Sequence, residues 1–422
     1  FNGHDFLLEA KDKGASAYIV NKEISHDFIN KHNLQNVIIV DDTVTALQRI
    51  ASAYLKTLKS KTIMITGSCG KTSVKDLLFH VLKTKYTVLK TEKNLNNYLG
   101  LPLTILGLTG REDYCILEAG INSFGELDYL SSLIKPDLAV ITNIGKAHLE
   151  AFKDINGVIK AKWEITNHIK EKGSLIINGD DPLLREKLNE KKLKFNIITF
   201  GINNNNNFFV NSHEMKNFSQ TAVIGSSKYS STWTLNTSIA GKSGLYNNLA
   251  VISLCDCLDI HPEYTIKQLN QEIPLTCMRF EQNNINNITI INDAYNANPT
   301  SMQEGLQNIS NVLLNGKKIL ILGDMLELGG VSEQEHKNIG LFLRSIDFDV
   351  LICYGDLSRF IYDEVIKGNF DKNSIFWYNN KDKVIDLLKS ISVKGDLLYF
   401  KASRAVHLED IVQEISKFIK NI

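Results

Sequence analysis

Apolar positions along this chain fall into short continuous runs separated by stretches of helical spacing, and the rhythm changes twice between its ends. In the first stretch, Phe6 to Lys13 reads as a helix stopped by Gly14, and Ala17-Tyr-Ile-Val20 and Val37-Ile-Ile-Val40 read as strands. Thr43 is placed to cap a helix in which Val44, Leu47, Ile50, Ala51, Tyr54, Leu55 and Leu58 share one face. The polar Lys59-Ser-Lys61 then reads as a linker. From Thr62 the pattern lengthens, with strands at 62–65, 114–118 and 138–142 and helices between them, which predicts a mostly parallel, buried sheet. After about residue 280 the alternation restarts, with strands near 288–292, 318–322, 350–354, 374–378 and 396–400, a Rossmann-like pattern. The expected architecture is therefore α/β in three domains: a small N-terminal α/β unit over 1–58, a central unit over 59–280 and a Rossmann-like unit over 281–422. Asn203 to Asn207 is a run of asparagines that reads as a surface-loop expansion.

Composition narrows the function classes. A chain of 422 residues exceeds what one core serves, in keeping with several domains. Its 47 Lys and Arg balance 47 Asp and Glu, so nothing points to nucleic acid or an acidic membrane as partner. No apolar run approaches the roughly 20 residues that span a bilayer, and Phe1-Asn-Gly-His-Asp5 does not form a signal peptide, so a cytoplasmic protein is expected. The absent initial Met suggests that residues upstream are missing. The six cysteines lie mostly in apolar segments and read as reduced core residues; Cys255-Asp-Cys257, the close pair, lacks a second Cys or His pair at zinc spacing. A monomer is the working expectation.

The most informative segment is Ile63-Met-Ile-Thr-Gly-Ser-Cys-Gly-Lys-Thr-Ser73, an apolar strand, a loop of small residues and a helix with Val74, Leu77, Leu78, Val81 and Leu82 on one face. Gly67 and Gly70 free the backbone to aim the N–H groups of Ser68, Cys69 and Ser73 at phosphate oxygens, Lys71 adds a point charge, and the Thr72 hydroxyl can ligate Mg²⁺. The spacing is unusual, since only Ser68 and Cys69 separate glycines that four residues usually separate. The alternative is a glycine-rich turn before a helix. A phosphate loop needs a divalent ion, and parallel sheets gather such ligands at strand ends. Glu118 ends the strand Tyr114-Cys-Ile-Leu117, and His148 follows the strand Leu138-Ala-Val-Ile-Thr142; taken singly, each is more often structural.

These residues resemble the Mur ligases over nearly the whole chain. The carriers are Thr66-Gly-Ser-Cys-Gly-Lys-Thr72, Asn94-Leu-Asn-Asn-Tyr-Leu-Gly-Leu-Pro102, Glu118-Ala-Gly-Ile-Asn122, Thr142-Asn-Ile-Gly-Lys-Ala-His148, Asp293-Ala-Tyr-Asn-Ala-Asn-Pro299 and Leu322-Gly-Asp-Met-Leu-Glu-Leu328. The shortened phosphate loop is what this family shows. The resemblance implies a UDP-sugar-peptide domain, an ATPase domain and a closing Rossmann-like domain. The last two segments imply the member that adds D-alanyl-D-alanine to UDP-N-acetylmuramoyl-tripeptide through an acyl phosphate. It further implies ATP and Mg²⁺, up to two ions, held by Thr72, Glu118, His148 and a carbamylated Lys162. Lys71, His148 and Lys162 would be catalytic. Arg279, Asp293 and Asn296 would lie on the nucleotide, and Asn94, Asn97, Asn298, Ser403 and Arg404 near the other substrates.

Read from the residues alone, Lys162 is a solvated helix lysine, Arg279 a surface salt-bridge residue, and 293–299 a turn of Asn, Asp and Pro. Three departures from the family pattern stand out. Ser243-Gly244 replaces the usual His-Asn, Ala402 replaces a usual Gly, and the chain opens within a segment that follows uridine-contacting residues in relatives. Their absence would weaken UDP-sugar binding. Competing expectations are a sister amide ligase (tripeptide-forming, or a folylpolyglutamate synthetase) and an inactive nucleotide-binding remnant.

Overall fold

A computed structural model of the chain describes residues 2–190, 193–239, 241–273 and 276–421; Phe1 lies outside them. Three sheets form among the described residues. The smallest is the parallel pair Tyr18–Asn21 and Val37–Val40, backed by the helices Leu7–Asp12 and His26–Lys31 around Leu7, Tyr18, Val20 and Leu34. The first helical stretch is a 3-10 turn, Gly3–Phe6, running into Leu7–Asp12.

The central sheet runs, edge to edge, Trp233–Thr237, Ser219–Ser226, Phe208–Lys216, Asn196–Phe200, Ser174–Asn178, Leu138–Ile141, Lys61–Thr66, Tyr114–Glu118 and Val88–Lys90. From Asn196–Phe200 to Val88–Lys90 its pairings are parallel. The middle strands, such as Tyr114–Glu118, are buried throughout, as expected for apolar runs covered on both faces. The helix Lys71–Leu82 packs the predicted face, Val74, Leu77, Leu78, Val81 and Leu82, against the sheet and the helix Gly241–Cys257. The antiparallel extension Phe208–Lys216, Ser219–Ser226 and Trp233–Thr237 was not foreseen, because its strands carry an outward polar face that masks them in an apolar-run reading.

The third sheet has the order Glu281–Ile285, Ile288–Asn292, Leu397–Lys401, Lys318–Gly323, Val350–Tyr354 and Ile375–Tyr378, parallel except for its first strand. The helix Leu408–Lys420 buries Leu408, Ile411, Val412, Ile415 and Ile419 against it.

Two expectations need correction. Asp42, not Thr43, caps the helix Thr43–Thr57: its carboxylate accepts the Thr45 N–H at 2.6 Å. That helix also faces the central unit, with Ala51 and Leu55 in the central core, Ser52 Oγ donating to Leu133 O and Tyr54 Oη to Leu108 O. The asparagine run is not a passive expansion. Asn206 is buried and donates to Asp180 at 2.8 Å, and Asn207 Oδ1 accepts the Thr199 N–H, so its side chains supply bonds that this tight strand connection otherwise lacks.

Candidate active site

The loop after Lys61–Thr66 owes its shape to glycines. Gly67 has φ 148° and Gly70 φ 82°, and a Cβ at either would lie 1.9 Å from Thr142 Oγ1 or 2.4 Å from Asn247 Oδ1. Bonds from the neighbouring strand end fix the loop: Ser68 N donates to Asn143 O, Cys69 N to Asn143 Oδ1 at 2.9 Å, and Gly145 N to Ser68 Oγ at 2.8 Å. Lys71 opens the helix and its ammonium donates to Gly67 O at 2.6 Å. Burial lowers the Lys71 pKa, with Glu118 pulling the other way.

Glu118, at the end of its strand, is 2% exposed. Both its oxygens accept from Thr72 Oγ1 at 2.9 Å, Lys75 Nζ lies 3.2 Å away, and Asn96 Nδ2 donates at 3.1 Å. Burial would raise its pKa, but Lys75, Arg279, Lys71 and the Thr72 hydroxyl outweigh it and the net shift is down. A carboxylate kept ionised while buried beside a hydroxyl and a phosphate-loop lysine is a fit donor set for a hard cation such as Mg²⁺.

Lys162 is 1% exposed, not solvated, and lies on the helix Ile155–Trp163. Burial, then the Lys71 charge, pushes its pKa well down. Arg279 is not a surface salt bridge: its guanidinium stacks over Tyr295 at 4.1 Å and its Nε is buried without a partner among the described residues. His148, in a left-handed conformation before the helix Leu149–Phe152, holds Glu327 of the third unit through Nδ1 at 2.8 Å.

An open cleft of about 370 Å³ lies between the central and third units. Ser68, Cys69, Gly70, Lys71, Ser73, Asn94, Asn97, Glu118 and His148 line it from one side, and Arg279, Asp293, Asn296 and Asn298 from the other. Gly67, Thr72 and Lys162 do not line it. Asn298 also caps a helix, its Oδ1 accepting the Ser301 N–H at 2.9 Å, and Asn97 Oδ1 accepts the Gly100 N–H at 2.9 Å where the helix Gly100–Leu106 begins. Asp293 is braced by Lys401 at 2.7 Å, Tyr399 Oη at 3.0 Å and Phe280 N at 3.2 Å. Ser403 and Arg404 do not line the cleft: buried Ser403 ties Leu326 N to Ala297 O, and exposed Arg404 pairs with Glu409 at 3.1 Å. Lys75, Asn96, Glu304, Glu327 and Lys401 are site residues the sequence reading did not single out. Glu327 lies inside a quoted motif and Lys75 one turn past the loop, so those two carried a usable signal.

The departures have local reasons. A Cβ at Gly244 would lie 2.2 Å from Ile239 O, which excludes Asn there with this backbone. The buried Ala402 methyl sits against Gly323. Cys255 and Cys257 are free, and no group of three potential metal-binding His, Cys, Asp or Glu occurs among the described residues. No helix among them is long and apolar enough to cross a membrane.

Comparison with known proteins agrees with this geometry. The Mur ligase middle domain family matches residues 65–255, and the Mur ligase glutamate ligase domain family matches 278–404. The UDP-N-acetylmuramoyl-tripeptide--D-alanyl-D-alanine ligase of Bacillus subtilis is 38% identical over 420 residues, covering 98% of this chain and 88% of that protein. The Escherichia coli protein of the same name is 28% identical, covering 99% and 89%. Among solved structures, MurF of Thermotoga maritima in complex with ADP superposes with a TM-score of 0.87 at 28% identity, covering 100% of this chain and 93% of that one.

Proposed function

The chain belongs to the Mur ligase family, and from that premise we propose that it joins D-alanyl-D-alanine to UDP-N-acetylmuramoyl-tripeptide with cleavage of ATP, in cytoplasmic peptidoglycan precursor synthesis. The observation that carries this reading is the glycine-shaped loop 67–73, backed by the buried Thr72–Glu118 pair and facing the third unit across one cleft.

A carboxylate is a poor electrophile until one oxygen becomes a leaving group. The terminal carboxylate of the tripeptide attacks the γ-phosphorus of ATP, releasing ADP and leaving an acyl phosphate. The dipeptide amine then attacks the acyl carbon, and the tetrahedral intermediate expels phosphate while the amine gives up a proton. Both steps crowd anions together, so the work falls to positioned cations and N–H donors. The loop backbone cradles the phosphates and Lys71 faces the transferred group. Arg279, fixed over Tyr295 with an Nε that has no partner among the described residues, responds to phosphate where the units meet. Asn94 and Asn97 flank the tripeptide, and Asn296 and Asn298 face nucleotide and dipeptide. Ser403 and Arg404 act by holding the segments around 297 and 278 in place.

Thr72 and Glu118, with His148 and Lys162 as further groups, would hold Mg²⁺, which when bound neutralises charge between the two anions. Burial and the Lys71 charge disfavour the ammonium form of Lys162, which favours its attack on CO₂ with loss of a proton, and the resulting carbamate would exchange repulsion from Lys71 for attraction. We assign the UDP-linked substrate to 1–58, ATP to 59–280 and closure to 281–422, with the helix Thr43–Thr57 attached to the central unit by its packing, and we expect a monomer. Phosphate release with UDP-N-acetylmuramoyl-tripeptide tests the reading: it should require D-alanyl-D-alanine, and release driven by a single amino acid would move the chain to a sister ligase.

A further inference from the structure

A second cavity, of about 490 Å³, adjoins the cleft. The two share Ser243, Glu304 and Asn308 as common wall, and the second continues to His213, Gln220 and Lys242. The helix Gly241–Cys257 gives the direction of this passage. Asn247 stands against Gly70 of the phosphate loop, Ser243 lies one turn earlier on the same helix face, and Gly241 leads into the second cavity. The four residues from Ser243 to Asn247 rise about 6 Å, roughly the step from a nucleotide's phosphates to its sugar.

At that junction Glu304, on the helix Pro299–Ser310, presents a carboxylate with no hydrogen-bond partner among the described residues; Lys401 and Asp293 act on it only through space. Asp293, the carboxylate the sequence singles out for the nucleotide, also lines the cleft but already accepts from Lys401, Tyr399 and Phe280 of its own unit, which leaves it less acceptor capacity than Glu304. The free acceptor beside the passage is Glu304. Ser243-Gly244 stands where the resemblance implies His-Asn, and Ser243 and Asn247 of the helix Gly241–Cys257 face the cleft without a charge, so the Pro299–Ser310 helix supplies the charged acceptor at this junction.

We propose that Glu304 is a nucleotide-selecting residue that accepts hydrogen bonds from the ribose hydroxyls of ATP, while the second cavity takes the base. This rests on the reading of loop 67–73 as the ATP site. A carboxylate that accepts from a diol discriminates against a sugar lacking one hydroxyl, and a charge-assisted bond of this kind is worth about 10- to 100-fold in KM.

The test is KM and kcat for ATP and for 2′-deoxy- and 3′-deoxy-ATP, with both acceptor substrates saturating, in the wild type, Glu304→Gln and Glu304→Ala. The wild type should prefer ATP about 10- to 100-fold over at least one deoxynucleotide. Glu304→Ala should raise KM for ATP and leave that deoxynucleotide nearly unmoved, so that the ratio falls to within about twofold of one, and kcat should fall less than KM rises. Glu304→Gln, which keeps one acceptor oxygen, should lie between. An unchanged ratio in Glu304→Ala, a wild type that does not discriminate, or a loss confined to kcat overturns the proposal. Lys71→Ala separates the two readings. If that variant is inactive, an unchanged ratio removes the role of Glu304 alone; if it is active, the ATP site itself is misplaced.

Discussion

The two walls of the cleft are built on different terms. On the central wall the charges are sunk into the fold and satisfied there: Glu118 holds Thr72, Lys75 and Asn96, and the loop hangs on Asn143 and Ser68. On the third-unit wall Asp293 is braced internally, Glu304 has no hydrogen-bond partner among the described residues, and contact with the central unit joins apolar packing of Leu149 and Phe152 with Met325 and Leu328 in one cluster to polar pairs such as Lys146 with Glu335 at 2.6 Å and His148 with Glu327 at 2.8 Å. The comparison teaches that the central wall holds its charged groups among fixed partners inside one unit, whereas the third-unit wall meets it through partly exposed ion pairs beside apolar packing.

Substitutions on the two walls should therefore fail differently. The largest effect is expected for Lys71→Ala, which should lower the rate of phosphate release at least about 100- to 1,000-fold with the melting temperature kept; near-normal turnover would sink the phosphate-loop assignment. Glu118→Gln should cost activity and also stability, because it leaves the buried Lys75 ammonium only the Asp76 carboxylate, 3.9 Å away and shared with Lys90, a loss of up to about 3–5 kcal/mol readable by denaturant unfolding. Lys162→Ala should lower kcat about 10- to 100-fold. Short-chain carboxylic acids should restore part of it and bicarbonate none, and rescue by bicarbonate would rule out a carbamate on this lysine.

On the third wall the effects shrink. Glu327→Gln weakens a half-exposed pair, so KM should rise only a few-fold and thermal unfolding should not move, within the range of about 0–1 kcal/mol for such pairs. A drop in melting temperature as large as that of Glu118→Gln would erase the distinction between the walls. Glu304 gives the wall a pH signature: burial pushes its carboxyl from the ordinary 4.5 up to about 7. Its protonated form is favoured in the fold, so the stability it contributes is full below about pH 4.5 and is lost as pH rises through about 7. Glu304→Gln should thus gain melting temperature relative to the wild type between about pH 5 and pH 8, and a constant difference would contradict that shift.

The central wall was also the legible one. A strand, two glycines, Lys71 and Thr72 encode their geometry within a dozen residues, and apolar runs reported the buried strands at 114–118, 288–292 and 350–354 closely. Local pattern cannot report what distant chain segments bury. Lys162 reads as any helix lysine until the fold closes over it, Arg279 as any surface arginine until Tyr295 comes beneath it, and Glu304 as a polar helix position until Ser243 stands opposite. The helix Thr43–Thr57 shows the same limit. Its apolar face was plain in sequence, but the direction it points was settled by Leu108 and Leu133, more than fifty positions away.

The most direct test of the central claim is ATP-dependent phosphate release with UDP-N-acetylmuramoyl-tripeptide and Mg²⁺, measured with and without D-alanyl-D-alanine. Release that appears only with the dipeptide, and forms an amide product in equal amount, is the predicted result; release absent with every acceptor, or supported by a single amino acid alone, would contradict it.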